Sequence, residues 1–316
     1  MKRFTNVADV ANLDALLAEA LAYAADPWRS ADLGRRRTLG LVFLNPSLRT
    51  RMSTQKAAQL LGMDTIVLNA GADAWTIETR DGVVMDGTAG EHMREAAGVM
   101  GRYCDILGLR TFPGLVDRDY DYAETVLEQF IAYSGVPVVS LESATRHPLQ
   151  SFADLITIMQ HKTVERPKVV LTWAAHPKAL PQAVPNSFVE WMKGAPVDLV
   201  VTHPEGYELA DEFVGGVHVT HNQHEALRGA HFVYAKNWSS YKDYGRITNT
   251  DPSWQITEAK MALTDNGKFM HCLPVRRNVI VSDAVLDSPR SIVLDEAANR
   301  VVSAQTVLAE MLKALA

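Results

Sequence analysis

The chain has 316 residues, 47% of them hydrophobic and 22% charged, with a formal net charge of −6 at pH 7. These values exclude a disordered chain, and without a basic block they argue against nucleic acid as the main partner. The start, Met1-Lys2-Arg3-Phe4-Thr5-Asn6, has no apolar signal core, no run is long enough to cross a bilayer, and two cysteines, Cys104 and Cys272, are too few for a disulfide scaffold; a cytoplasmic protein with reduced thiols is expected.

Val10 to Ala25 is rich in Ala and Leu at helical spacing and predicts an N-terminal helix. Thr38 to Leu44 is an apolar run of the kind that forms a buried parallel strand. Asn45-Pro46-Ser47-Leu48-Arg49-Thr50-Arg51 follows, and Met52 to Met63 reads as a helix. Two hydroxyls and two guanidiniums therefore sit at a strand-to-helix turn. Unpaired N–H groups and the positive end of the helix dipole make such a turn an anion site. Ser47 is placed to cap the helix and Thr50 lies in its first turn, while Arg49 can reach the same anion with its planar fork. Arg51 faces another side of the helix and is assigned a structural ion pair. The pattern GxxxxGK[ST] is absent, so the anion is not a nucleoside triphosphate in a Walker loop.

Thr65 to Leu68 is the next strand. Asn69 to Glu91 is a glycine- and aspartate-rich loop of the length that usually carries function. Trp75 within it reads as a lid over local apolar surface. Glu91 to Met100 is helical. Cys104 to Leu109 is a strand that delivers Arg110 at its C-terminal end, where open α/β sheets bind ligands. A helix over Ala123 to Tyr133 leads to a strand, Val136 to Leu141, that ends in Glu142, Thr145, Arg146 and His147.

His147-Pro148-Leu149-Gln150 closes this half, and Phe152 to His161 reads as a linking helix. Lys168 to Trp173 starts a second alternating half. Pro177, Pro181 and Pro185 predict an extended loop from Ala174 to Asn186, with Asn186 capping a helix through Met192. Val197 to Thr202, His231 to Ala235 and Lys268 to Met270 are strands. The last two lead to Lys236-Asn237-Trp238 and His271-Cys272-Leu273-Pro274. Val301 to Leu315 is an amphipathic closing helix. The fold class is α/β, with two doubly wound parallel-sheet domains over residues 1–150 and 151–300, a cleft between them, and the segment 301–316 packing back on the first. His92, His203, His221 and His224 show no metal-ligand spacing, so neither metal nor cofactor is expected.

Three motifs carry a resemblance. Ser47-Leu48-Arg49-Thr50-Arg51 resembles the Ser-Thr-Arg-Thr-Arg phosphate turn of the aspartate and ornithine carbamoyltransferases. His147-Pro148-Leu149-Gln150 is similar to their His-Pro-x-Gln motif, and His271-Cys272-Leu273-Pro274 to the His-Cys-Leu-Pro of the ornithine branch. No Ser-Met-Gly loop for free ornithine is present. The proline-rich loop and Lys236-Asn237-Trp238 resemble instead the acylornithine branch, which acts on N2-acetyl- or N2-succinyl-ornithine in a variant arginine pathway and is knotted in its second domain. Where the acetyl enzymes have a glutamate near the acyl group and the succinyl enzymes a proline, this chain aligns Gly90; where the acetyl enzymes have a lysine, it aligns Ile280. The missing acidic side chain favours a succinyl substrate.

The reaction this resemblance implies is attack of the acceptor's δ-amine on carbamoyl phosphate. Ser47, Leu48, Arg49 and Thr50 would hold the phosphate. Arg110 would bridge phosphate and carbonyl oxygen, His147 would donate to that oxygen, and Gln150 would bind the carbamoyl end. Arg300 would add charge from the second half, and Trp75 would reach in from a neighbouring subunit of a homotrimer. Cys272 and Leu273 would form a backbone turn whose carbonyls receive the amine. Glu142, His176, Lys236 and Arg276, with Gly90, would bind the acylornithine. Arg110, His147 and Cys272 make up the implied catalytic set. A rival of another class is a two-lobed protein that binds a phosphorylated metabolite without turning it over.

Overall fold

The apolar runs of the first half form one parallel sheet in the computed structural model, which describes residues 1–315. In chain order this half contains β1 (Arg3–Phe4), α1 (Leu13–Ala25), β2 (Thr38–Phe43), α2 (Arg49–Leu60) and β3 (Asp64–Asn69). There follow the short parallel pair β4 (Ile77–Glu78) and β5 (Glu91–His92), then α3 (Met93–Tyr103), β6 (Ile106–Arg110), α4 (Arg118–Tyr122), α5 (Thr125–Ser134) and β7 (Val138–Glu142). The second half contains α6 (Pro148–His161), β8 (Lys168–Trp173), α7 (Ala183–Lys193), β9 (Asp198–Thr202), α8 (Asp211–Val214), β10 (His218–Thr220) and α9 (Gln223–Leu227). It ends with β11 (Phe232–Lys236), α10 (Glu258–Met261), β12 (Lys268–Met270), α11 (Asp283–Leu286) and α12 (Val293–Lys313). The chain clusters into two units. One comprises Met1–Gly114, Asp119–Leu149 and the chain from Arg300; the other comprises Leu115–Arg118 and Gln150–Asn299. Ala316, the last residue of the closing segment, lies outside the described residues.

The first unit's sheet has the order β1-β7-β6-β2-β3, and the second's β10-β9-β8-β11-β12, with every pairing parallel. This is the α/β architecture expected from the alternation. In the first sheet the chain runs outward from β2 to β3, then reverses to β6 on the other side. The switch falls between β2 and β6, and the crevice outside the C-terminal ends of such neighbours is where open sheets bind ligands. In the second sheet the same reversal separates β8 from β11.

Core residues follow the strand pattern. Val42, Leu107, Leu109 and Val138 pack with Met93, Ala97, Leu127 and Phe130 of α3 and α5. Val170, Val233 and Phe269 pack with Ile256, Ile280, Val281 and Val285. Each of the Val, Leu, Ile, Met and Phe side chains among them contributes about 1.5–3 kcal/mol by leaving water. Gly101 lets α3 approach α5 closely, since a Cβ there would lie 1.8 Å from the Ser134 carbonyl oxygen.

Several boundaries differ from expectation for local reasons. α1 starts at Leu13 rather than Val10, because Asn12 accepts the Ala15 N–H at 3.0 Å and caps the helix there. α7 starts at Ala183, before Pro185 and not after it. Proline in a first turn lacks only an N–H that has no intrahelical partner anyway. Asn186 is thus inside the helix, its N–H bonded to the Gln182 carbonyl at 2.9 Å, and does not cap it. Pro148 opens α6 in the same way, four residues before Phe152. α12 begins at Val293, well before Val301.

Candidate active site

In the first unit the turn after β2, expected to bind an anion, leads into α2. The helix cap is Leu48, not Ser47, and Leu48 makes no side-chain cap bond. Ser47 Oγ nonetheless accepts the Thr50 N–H at 3.3 Å from one residue further out. Thr50 is buried, and its Oγ1 accepts from Arg300 Nη2 at 2.7 Å. Arg300 thereby joins the turn within the unit that contains it. Arg51 makes no carboxylate contact among the described residues: its Nη2 donates to Asn69 Oδ1 of β3, and its guanidinium lies 5.3 Å from the Phe43 ring centre. In place of the expected ion pair there is a hydrogen bond to the Asn69 side-chain amide oxygen, with cation–π support from Phe43.

The neighbouring loop, after β6, is tied to this turn by Phe112 N–H on Asn45 Oδ1 at 2.7 Å. A register shift between Leu109 and Arg110 pairs Arg110 with Glu142 across β7. Such a bulge re-aims a side chain. Here it brings Arg110 Nη1 onto Glu142 Oε2, with the guanidinium 4.2 Å from the Phe112 ring centre. His147 Nε2 lies 3.6 Å from the same carboxylate oxygen. All three side chains are buried. Sequence reasoning missed the residue that sets this loop. Glu124, in the left-handed region at φ 52°, closes on the turn between Glu142 and His147. Its carboxylate accepts from Ser143 Oγ at 2.6 Å, Thr145 N at 2.7 Å, Thr145 Oγ1 at 2.5 Å and Ala144 N at 3.1 Å. Four donors over-determine a backbone strain of about 1–3 kcal/mol.

Trp75 is 60% exposed, so it does not cover a local apolar surface as expected. Its Nε1 donates to Glu91 Oε2 at 3.0 Å, and its ring lies against Gly90. A Cβ at Gly90 would meet Trp75 Cγ at 2.8 Å. Ile280, by contrast, is a core residue at 2% exposure.

In the second unit Gln150 is fully buried, and its Nε2 donates to Asp154 Oδ1 at 2.8 Å and Glu296 Oε1 at 3.3 Å. His271 N–H bonds Glu296 Oε2 at 2.9 Å, and His271 Nδ1 accepts the Leu273 N–H at 2.8 Å. Leu273 holds φ 55° and precedes a cis Pro274. Cys272 is buried beside it. At the second switch point, Asn237 Nδ2 donates to the Ala174 carbonyl at 2.6 Å and Ala174 N to the Lys236 carbonyl at 3.2 Å. These bonds hold the Lys236-Asn237-Trp238 segment against the start of the proline-rich loop. Ser239 and Gln182 tie the loop's far side, through Ser239 N on the Leu180 carbonyl at 2.9 Å and Gln182 Nε2 on the Ser239 carbonyl at 3.0 Å.

Arg276 Nε donates to His176 Nε2 at 2.9 Å, so that nitrogen is the acceptor, and Nδ1–H faces the Lys178 carbonyl at 2.9 Å. Burial first, then the charges of Arg276, Lys236 and Lys178, hold the His176 imidazole below its ordinary range. The site thus keeps a neutral histidine among cations, suited to a ligand with carboxylates. A histidine whose folded pKa is depressed refuses a proton that the unfolded chain accepts. Its effect on stability is absent above the ordinary value of about 6.5 and destabilising as pH falls below it. The fall in Tm between about pH 7.5 and about pH 5.5 is therefore expected to be smaller in His176→Gln than in the parent. An equal fall in both, by calorimetry, would remove His176 from that balance.

Among the described residues, no group of three His, Cys, Asp or Glu side chains is placed to hold a metal ion, and no helix is long and apolar enough to cross a membrane. Two family models match the chain: the aspartate/ornithine carbamoyltransferase carbamoyl-P binding domain over residues 2–160, and the Asp/Orn binding domain over residues 181–311. N-succinylornithine carbamoyltransferase of Bacteroides thetaiotaomicron is 56% identical, with all of both chains covered. N-acetylornithine carbamoyltransferase of Xanthomonas campestris is 39% identical over 98% of each. A crystal structure of a variant N-acetyl-L-ornithine transcarbamylase, complexed with carbamyl phosphate and N-succinyl-L-norvaline, matches with a TM-score of 0.93. It is 38% identical, over 98% of this chain and 100% of that one.

Proposed function

The chain belongs to the aspartate/ornithine carbamoyltransferase family, and from that premise we propose that it carries the carbamoyl group of carbamoyl phosphate to the δ-amine of N2-succinyl-L-ornithine, giving N2-succinyl-L-citrulline and phosphate. The observation that carries the reading is the adjacency of the Ser47–Thr50 turn and Arg110 at the C-terminal ends of β2 and β6. The choice of acyl group follows the full-length likeness to the N-succinylornithine enzyme. The place of this reaction in arginine biosynthesis, in the cytoplasm, belongs to the same reading.

The amine nitrogen attacks the carbonyl carbon, the bond from that carbon to the phosphate oxygen breaks, and the amine's proton leaves with the phosphate. Ser47, Leu48, Arg49 and Thr50 hold the phosphate at the start of α2, with Arg300 bearing on Thr50. Arg110 and His147 steady the developing oxyanion, which fixed donors in a dry site do at no reorganisation cost. Gln150 and Leu273 hold the carbamoyl end. The acceptor must arrive neutral, roughly 5 kcal/mol uphill at pH 7 for an amine of reference pKa about 10.4. The Cys272–Leu273 carbonyls orient that amine; the Cys272 thiol forms no bond to substrate. Lys236 and Arg276 match the two carboxylates of a succinylated ornithine, and Glu142 and His176 complete its contacts. Trp75 and Gly90, on an exposed loop, serve a neighbouring subunit's site in a homotrimer.

Initial rates with ornithine, N2-acetylornithine and N2-succinylornithine test the assignment. Succinylornithine is expected to lead by roughly ten-fold or more in kcat/KM. A lead for acetylornithine would reassign the acyl group. Binding of carbamoyl phosphate with no phosphate released by any acceptor would favour the non-catalytic reading.

A further inference from the structure

Two buried acids of the second unit have no part in this scheme. Asp154 on α6 and Glu296 on α12 are both fully inaccessible. One nitrogen, Gln150 Nε2, donates to both, to Asp154 Oδ1 at 2.8 Å and to Glu296 Oε1 at 3.3 Å, which places the two carboxyl groups side by side. The second oxygen of Glu296 takes the His271 N–H. Glu296 accepts from the Gln150 amide and the His271 N–H, and the Asp154 carboxyl, the Cys272 thiol and the Tyr234 phenol bear on it electrostatically. None of these five is a cation. Two carboxylates that share one amide donor in a dry interior cannot both ionise, because no water screens one charge from the other.

We infer that Asp154 and Glu296 share one proton at neutral pH, and that this acid pair is a positioning device that ties Gln150 of one motif and His271 of the other to a single anchor on α12. The functional half of the inference rests on the reading above, in which Gln150 and the turn after His271 touch the carbamoyl group. Burial first, and then the charge of Asp154, hold the Glu296 carboxyl well above the usual carboxylate range, which accords with the geometry. The sign follows: a folded-state acid that keeps its proton loses stability as pH rises from the ordinary carboxylate range towards its own value.

The test uses infrared difference spectra of the intact protein at neutral pH, parent minus Glu296→Gln and parent minus Asp154→Asn. Each is expected to show one protonated-carboxyl carbonyl band in the parent that the variant lacks. Glu296→Ala is expected to raise KM for carbamoyl phosphate by about ten-fold, with the isosteric Glu296→Gln recovering most of it. If the alanine variant does not fold, the infrared bands and the glutamine variant still decide. Absence of the band in the folded parent overturns the shared proton. An unchanged KM in Glu296→Ala overturns the positioning role. A band in a parent that transfers no carbamoyl group would instead sink the functional reading and leave the acid pair standing.

Discussion

Arg110→Ala is expected to lose about a thousand-fold in kcat/KM and about 3–5 kcal/mol of stability. The two losses have different causes. On the proposed reading, catalysis loses a buried guanidinium that would meet the developing charge. Stability falls because Glu142, itself buried, is left facing His147 without its main cation. The double variant Arg110→Met, Glu142→Gln separates them. Replacing both members of a buried pair by neutral groups of similar shape commonly restores stability. It is expected to unfold in urea near the parent's midpoint and to remain inactive. Full turnover in Arg110→Ala would remove Arg110 from the reaction. A double variant no more stable than the single one would show that the pair is not what holds this loop.

Gly90→Glu is expected to lower kcat/KM for N2-succinylornithine by about a hundred-fold, and for N2-acetylornithine by much less. On the proposed reading, which sets position 90 beside the acyl group, a second carboxylate on the substrate would face the new one, and such like-charge juxtaposition costs several kcal/mol. The structure adds a second effect that charge alone does not foresee. Any side chain at position 90 pushes on Trp75, whose Cγ, Cβ and Cδ1 would lie 2.8, 3.0 and 3.1 Å from the new Cβ. Gly90→Ala therefore serves as the control. It carries the collision without the charge, so it should lower both rates and leave their ratio alone. A ratio that shifts equally in the alanine variant would assign acyl preference to the position of the indole.

Strand positions were legible because buried parallel strands are nearly continuous apolar runs, as Thr38–Phe43 and Lys168–Trp173 show. The polar residues at their C-terminal ends follow from the same reading. Partners were harder. The spacing of Arg51 told which way it faced, but not that Asn69 of the adjacent strand and the Phe43 ring would meet it. Trp75 suggests a lid in the sequence because an isolated aromatic carries no record of what covers it. Glu124 left no signal at all: its role comes from a left-handed backbone and from a turn some twenty positions away. The contact between His176 and Arg276 joins residues 100 positions apart, and only the sheet order brings them together. Proline misled the reading at α7, where three prolines suggested an open loop although the last of them sits inside a helix's first turn.

The outermost strand of the first sheet is made of Arg3 and Phe4 alone, with Phe4 fully buried and Asp9 gathering Thr5 and Arg3 beneath it. Anyone fusing an affinity handle to this end, or trimming it to aid crystal growth, is therefore working on a structural part and not on a loose tail. A spacer ahead of Met1 respects the docking of that strand; a cut after Thr5 would strip the sheet's border and uncover Val138 and Val139.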